Sequence, residues 1–176
     1  MAGKFKDQKE ALAMSIEMEK KGHSFYKKTA ENAADKMTKD VFEFLAGEEL
    51  KHIEAIKTFY DAEIASTTTD FNSLLGSYAP EAVRKAIMNL FDGLDKKAPI
   101  DKPDMEAYRF ARDFEKNSER FYREAAAKAT DPNVKKLFEF LVEEEVRHFQ
   151  MIDDSMAYLE NPAEWFHRIE KWHVEG

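Results

Sequence analysis

Two Glu-x-x-His pairs, Glu49 with His52 and Glu145 with His148, are the side chains in this sequence best suited to chemistry. Residues three apart share one face of a helix, so each pair can offer a carboxylate and an imidazole to the same metal ion. Two further acids, Glu19 and Glu115, lie upstream of the pairs at the same offset of 96 that separates Glu49 from Glu145 and His52 from His148. Imidazole and carboxylate donors suit iron or manganese. Two such ions, about 3.5 to 4 Å apart, can bind both oxygens of O2 or peroxide and share the electrons that cleave the bond. The expected ligand set is Glu19, Glu49, His52, Glu115, Glu145 and His148 around two metal ions, iron first, with manganese or zinc as alternatives.

Steps of three and four residues place each of these acids in the middle of an apolar stripe. The stripes run Leu12, Ile16, Glu19, His23, Tyr26, Ala30; Phe42, Leu45, Glu49, His52, Ile56, Phe59; Tyr108, Arg112, Glu115, Glu119, Tyr122, Ala126; and Phe138, Leu141, Glu145, His148, Ile152. Ionised carboxylates in a bundle core lose hydration, and four at one level also repel one another. Two divalent cations would offset their four charges, with the imidazoles adding neutral ligands.

The elements that must position these groups follow from repetition and punctuation. Phe25-Tyr26 recurs as Phe121-Tyr122, and FEFLAGEELKH (Phe42 to His52) recurs as FEFLVEEEVRH (Phe138 to His148), so the chain carries two copies of one helical hairpin. Gly and Pro number only six and five, and strong helix formers fill the long tracts. Asp35, and Asp131 followed by Pro132, read as helix caps, and Asn161-Pro162 repeats the signal before a short tail. The expected fold is an all-α four-helix bundle in one domain, with hairpins at about 7–64 and 104–160, and its inventory of inward Glu and Glu-x-x-His resembles that of ferritin-like bundles. The long helices are expected at about 7–34, 36–64, 104–129 and 132–160. A crossover spans 66–103, with a short helix from Pro80 to Phe91, and an amphipathic tail occupies 161–176, with Trp165, Phe166, Ile169 and Trp172 at helical spacing.

Composition closes off other classes. The net charge of −8 and the lack of a basic stripe argue against nucleic acid or an anionic membrane as partner. Zero cysteines exclude disulfides, zinc ribbons, thiol catalysis and any Cys-ligated iron site within these 176 residues. No leader-like apolar region and no run of about 18 apolar residues is present, so the expectation is a soluble cytoplasmic protein.

On these residues, from about Leu12 to Leu159, the chain resembles the rubrerythrin family. The resemblance implies the six ligands above, a di-iron site, and reduction of hydrogen peroxide or reaction with O2. It also implies a further glutamate three residues after the ligand on the third helix. Here that position is Ser118, and the nearest acid is Glu119, placed on the inward stripe as a candidate fifth carboxylate. Full-length rubrerythrins carry a Cys-ligated rubredoxin domain. Without a cysteine here, electrons are expected from an external donor such as a rubredoxin-type protein.

Glu119, Tyr26 and Tyr122 are the candidate catalytic residues. The tyrosines could stand by as one-electron donors or, more plainly, fill the core with the hydroxyl hydrogen-bonded to a ligand carboxylate. His23 is a candidate outer donor or alternative ligand. Glu48 and Glu144 point about 100° from the ligand acids, toward solvent or toward a ligand His. Two other functions compete: a ferritin-like iron oxidase and carrier, and a structural bundle whose acids pair with Lys or Arg, Arg112 foremost. A homodimer is expected, since bundles of this kind often dimerise.

Overall fold

The computed structural model describes residues 5–76, 80–91 and 105–167. Four long helices carry the fold: α1 (Gln8–Asn32), α2 (Lys36–Ile64), α5 (Met105–Lys128) and α6 (Pro132–Glu160). Between α2 and α5 lie α3 (Phe71–Leu75) and α4 (Pro80–Phe91), and a last turn of helix, α7, covers 162–167. The long helices begin and end within two residues of the expected positions, and the short helix from Pro80 to Phe91 is present. No strand occurs among the described residues.

The caps act as their residue types dictate. Asp7 accepts from the Glu10 N–H, Asp35 from Thr38, and Asp131 from both Asn133 and Val134, with Pro132 in the first turn, where its missing N–H leaves no bond unmade. Gln8 then ties the bundle end together. Its amide donates to Glu63 Oε2 at 2.8 Å, while its oxygen accepts from the backbone N–H groups of Thr130 and Asp131 at 3.0 Å.

α1 packs along α2, and α5 along α6, making two hairpins that close into the bundle. The apolar core falls into two clusters. One gathers Leu12, Ile56, Phe59, Phe121, Leu137 and Phe138; the other gathers Ala30, Val41, Phe42, Leu45, Tyr108 and Ile152. α1 and α6 run from the first cluster to the second, whereas α2 and α5 run from the second to the first. Consecutive helices α2 and α5 therefore point the same way, so the segment between them must travel the length of the bundle. Its described parts lie in contact with the bundle: Phe71 and Leu75 pack on the first cluster, and Ile87, Leu90 and Phe91 on the second.

Where the tail is described, it covers the end of the bundle. Trp165 is buried, stacked on Phe91 at 5.4 Å and edge-on to Tyr158 at 5.6 Å. Ile169 and Trp172 lie outside the described residues. No helix among the described residues is long and apolar enough to cross a membrane.

Asp131→Ala removes the acceptor of two N–H groups at the start of α6. It should destabilise the fold by about 1 kcal/mol, lowering Tm by roughly 2–4 °C in thermal unfolding followed by circular dichroism. An unchanged Tm would show that the cap contributes nothing.

Candidate metal centre

Between the two apolar clusters lies a layer of a different kind. Glu19 on α1, Glu49 and His52 on α2, Glu115 on α5, and Glu145 and His148 on α6 are each at most 2% exposed and meet at one level of the bundle. His52 Nδ1 lies 3.5 Å from both Glu19 Oε2 and Glu49 Oε2, and 3.9 Å from Glu145 Oε1. His148 Nδ1 lies 3.7 Å from Glu115 Oε1 and 3.9 Å from Glu145 Oε2. Ligand atoms of Glu19, Glu49 and His52 fall within 4.8 Å of one another, and so do those of Glu49, Glu115, Glu145 and His148. The layer is two half-sites that share the space between Glu49 and Glu145. The two imidazoles stack at 5.4 Å, with their Nδ1 atoms turned toward the acids.

The tyrosines bind across the pseudo-symmetry axis. Tyr26 on α1 donates to Glu115 on α5 at 2.5 Å, and Tyr122 on α5 donates to Glu19 on α1. The plainer of their two readings, a buried ring with its hydroxyl satisfied by a carboxylate of the cluster, is the arrangement found. Burial, with the charge of Glu115 against Tyr26 and of Glu19 against Tyr122, pushes both phenols well above their usual range, so both keep their protons.

Most other polar atoms of the layer lack a partner. Both oxygens of Glu49 and Glu145, one oxygen of Glu115, and both ring nitrogens of His52 and His148 are buried without a hydrogen bond. Buried polar atoms are nearly always satisfied, so a cluster of orphans with carboxylate and imidazole character fits divalent cations. No Lys or Arg among the described residues forms an ion pair with any of the six. Arg112, the partner named in the alternative of a purely structural bundle, lies instead at the surface, 3.5 Å from Asp153.

Without cations, protons must do the compensating. Burial, and then the charge of Glu19, pushes Glu49 far above the ordinary carboxylate range; burial, and then Glu115, does the same to Glu145. Burial raises Glu19 too, but the neighbouring Glu49 and His52 outweigh it and bring Glu19 down to about 2. Glu115 is likewise lowered, by Glu145 and His148 against burial. In each half-site, burial and mutual repulsion thus favour one acid that keeps its proton beside one that gives it up.

Several sequence expectations need correction. Glu119 does not face the layer: its side chain is 28% exposed and pairs with Arg123 at 2.7 Å. The inward position is Ser118, at 1% exposure, whose hydroxyl has no partner. Relative to the line between Glu115 and Tyr122, Ser118 and Glu119 lie about 50° to either side on a helix of 100° per residue, so periodicity alone could not separate them. The charged member took the solvent side. In α1 the same choice places Gly22 inward and leaves His23 partly exposed, with Nδ1 2.9 Å from the Ala46 carbonyl. A Cβ on Gly22 would come within 2.8 Å of the Phe114 ring and 3.4 Å of Glu49 Cδ, so that flank has no room for a ligand side chain.

Glu48 and Glu144 are not solvent-facing. They are 3% and 0% exposed, paired with Lys51 and Arg147, and Glu144 has an oxygen within 4.8 Å of nitrogens of both His52 and His148. Of the two readings for Glu144, the one beside the imidazoles is realised. The signal that could have found it is the doubled pattern Glu-Glu-x-Lys/Arg-His, in which the cation three residues on partners the first acid and permits its burial.

Fold and site together define a ferritin-like carboxylate–histidine bundle. The Rubrerythrin family model matches residues 10–156, and the chain belongs to the rubrerythrin family. Searches of curated proteins and of solved structures find no match to the chain.

The raised Glu49 and Glu145 have a consequence for pH. A group whose pKa is higher in the fold than in the unfolded chain stabilises below its ordinary value, 4.5 here, and that contribution is lost as pH rises toward the folded value. Glu19 and Glu115 act in the opposite sense, but only as pH falls below 4.5. The metal-free protein should therefore lose Tm steadily from pH 5 to pH 8, and a Glu49→Gln, Glu145→Gln double variant should flatten that slope. A wild-type Tm that rises over the same window would contradict the protonated pair.

Proposed function

We propose that the protein is a di-iron oxidoreductase that reduces hydrogen peroxide, with O2 as a second oxidant and a separate protein, of rubredoxin type, as electron donor. The observation that supports this most is the pair of half-sites whose carboxylate and imidazole atoms have no other partner. In this reading Glu19, Glu49 and His52 hold one ion, and Glu115, Glu145 and His148 hold the other, with Glu49 and Glu145 reaching toward both. Two ferrous ions would supply two electrons, which with two protons convert one peroxide into two waters.

The chain's own residues provide the setting. Tyr26 and Tyr122 fix the rotation of Glu115 and Glu19 by donating to one oxygen of each, and a protonated phenol in each place adds no charge to a layer already rich in acids. The apolar clusters above and below exclude bulk water, which strengthens every charge interaction between them. Electrons must come from outside these 176 residues, because no cysteine is available to ligate an iron centre of rubredoxin type.

Metal analysis should find two ions per chain after anaerobic loading with Fe(II). Glu49→Ala or His148→Ala should lose at least one of them, whereas Glu119→Ala, remote from the layer, should keep both. In stopped-flow mixing, the di-ferrous protein should oxidise faster with peroxide than with O2. Preferential O2 consumption, with more than two irons oxidised per chain, would instead mark an iron oxidase and overturn the proposal.

A further inference from the structure

The metal layer has one flank where the bundle wall is not closed. A cavity of about 350 Å³ opens beside α2 and reaches His52; its lining includes Glu48, Lys51, Thr58, Leu74 and Phe140. That is room for several water-sized molecules. Its roof is α3, a five-residue helix that belongs to the crossover and has no counterpart in the duplicated hairpins. α3 is pinned in place: Asp70 accepts from the Ser73 N–H at 2.7 Å, the Phe71 N–H donates to Asn133 Oδ1 at 3.2 Å, and the Phe71 ring meets Phe140 edge-on at 6.1 Å. Phe140 in turn stands edge-on to the His52 ring at 6.5 Å.

Besides His52 Nδ1, which faces the acids, two buried polar atoms on residues that line this cavity have no hydrogen bond: His52 Nε2, on the opposite edge of the ring, and Glu48 Oε2. The other oxygen of Glu48 is held by Lys51 at 2.5 Å, and Glu144 is engaged by Arg147. At its inner end the cavity therefore presents a neutralised ion pair, which attracts neither a cation nor an anion, together with one spare acceptor. If His52 binds metal through Nδ1, the single proton of the neutral ring sits on Nε2, and the cavity also has a spare donor. A donor and an acceptor on residues that line one cavity, without net charge, suit a small neutral molecule that can both accept and donate.

We propose that this cavity is the port by which hydrogen peroxide reaches the centre, and that it is held there between His52 Nε2–H as donor and Glu48 Oε2 as acceptor. The inference rests on the metal-centre reading, because coordination through Nδ1 is what fixes the proton on Nε2. It also makes the two half-sites inequivalent: peroxide arrives on the His52 side, where the crossover supplies the roof.

The test uses the zinc-loaded protein, which cannot turn peroxide over, with hydrogen peroxide as the probe. The His52 imidazole 15N resonances should shift saturably with peroxide, and those of His148 should not. Thr58→Trp, at the exposed mouth, should abolish the shift while two zinc ions per chain remain bound. In the di-ferrous protein it should slow oxidation by peroxide roughly tenfold. Gln150→Trp, in the separate outer groove between α5 and α6, should change neither. A His52 resonance that ignores peroxide, an equal shift at His148, or an undiminished rate in Thr58→Trp overturns the port while leaving the centre intact. Failure to bind zinc at all overturns the metal-centre reading, and the port with it.

Discussion

Four carboxylates in one dry layer are the constraint around which this bundle is built. The layer is tolerable only when positive charge enters it, and the described residues bring none of their own: every Lys and Arg among them found in an ion pair is paired elsewhere. Protons can supply part of the compensation, leaving Glu49 and Glu145 neutral, and two divalent cations can supply all of it. The same side chains therefore form a self-consistent proton-bearing state and a ligand set, and each ion that enters displaces a proton. The apolar clusters on either side make that exchange sharp, because neither state can borrow solvation from bulk water.

The duplication explains how such a layer is held in register. Tyr26 and Tyr122 each reach across from their own hairpin to an acid on the other. A slip of one hairpin against the other by a helical turn, about 5.4 Å, would break both bonds at once and leave two buried hydroxyls and two buried carboxylates unpaired. Apolar packing alone offers no such penalty, since one Leu or Phe layer resembles the next. The crossover then breaks the symmetry that the hairpins share. Because α2 and α5 run the same way, the connection must pass along the bundle, and in doing so it lays α3 over one imidazole and α4 over the far apolar cluster. The equivalence of the halves ends there.

Much of this was legible in the sequence, for a physical reason. Long helices with caps at Asp35 and Asp131 and an internal repeat leave little choice of architecture, and acids in the middle of apolar stripes identify the layer without coordinates. What periodicity could not supply was the side of the helix on which a flanking residue falls. Arg112 and Glu119 were assigned inward with the same arithmetic that placed Glu115 and Tyr122 correctly, and Ala111 and Ser118 were found there instead. The crossover is harder still to read, because α3 is shorter than two turns and its position depends on contacts with Asn133 and Phe140 far along the chain.

The choice between Ser118 and Glu119 was nevertheless decidable from residue type, and its outcome bears on the chemistry. A fifth carboxylate in the layer would lack a cation of its own until the metal charge rose from four to six, so in any resting state it would be buried at a loss. Arg123 one turn on offers Glu119 a partner at the surface, and the helix rotates accordingly. On the other flank Phe114 closes over Gly22, so that no side chain can stand there either. The fixed charge of the layer is thus set at four, with Glu144 held beside the imidazoles by Arg147 and Glu48 paired with Lys51. Side chains that carry four negative charges would match a reduced pair of divalent ions more closely than an oxidised pair. In the proposed reading, the four acids would therefore favour return of the ions to the divalent state by an external donor.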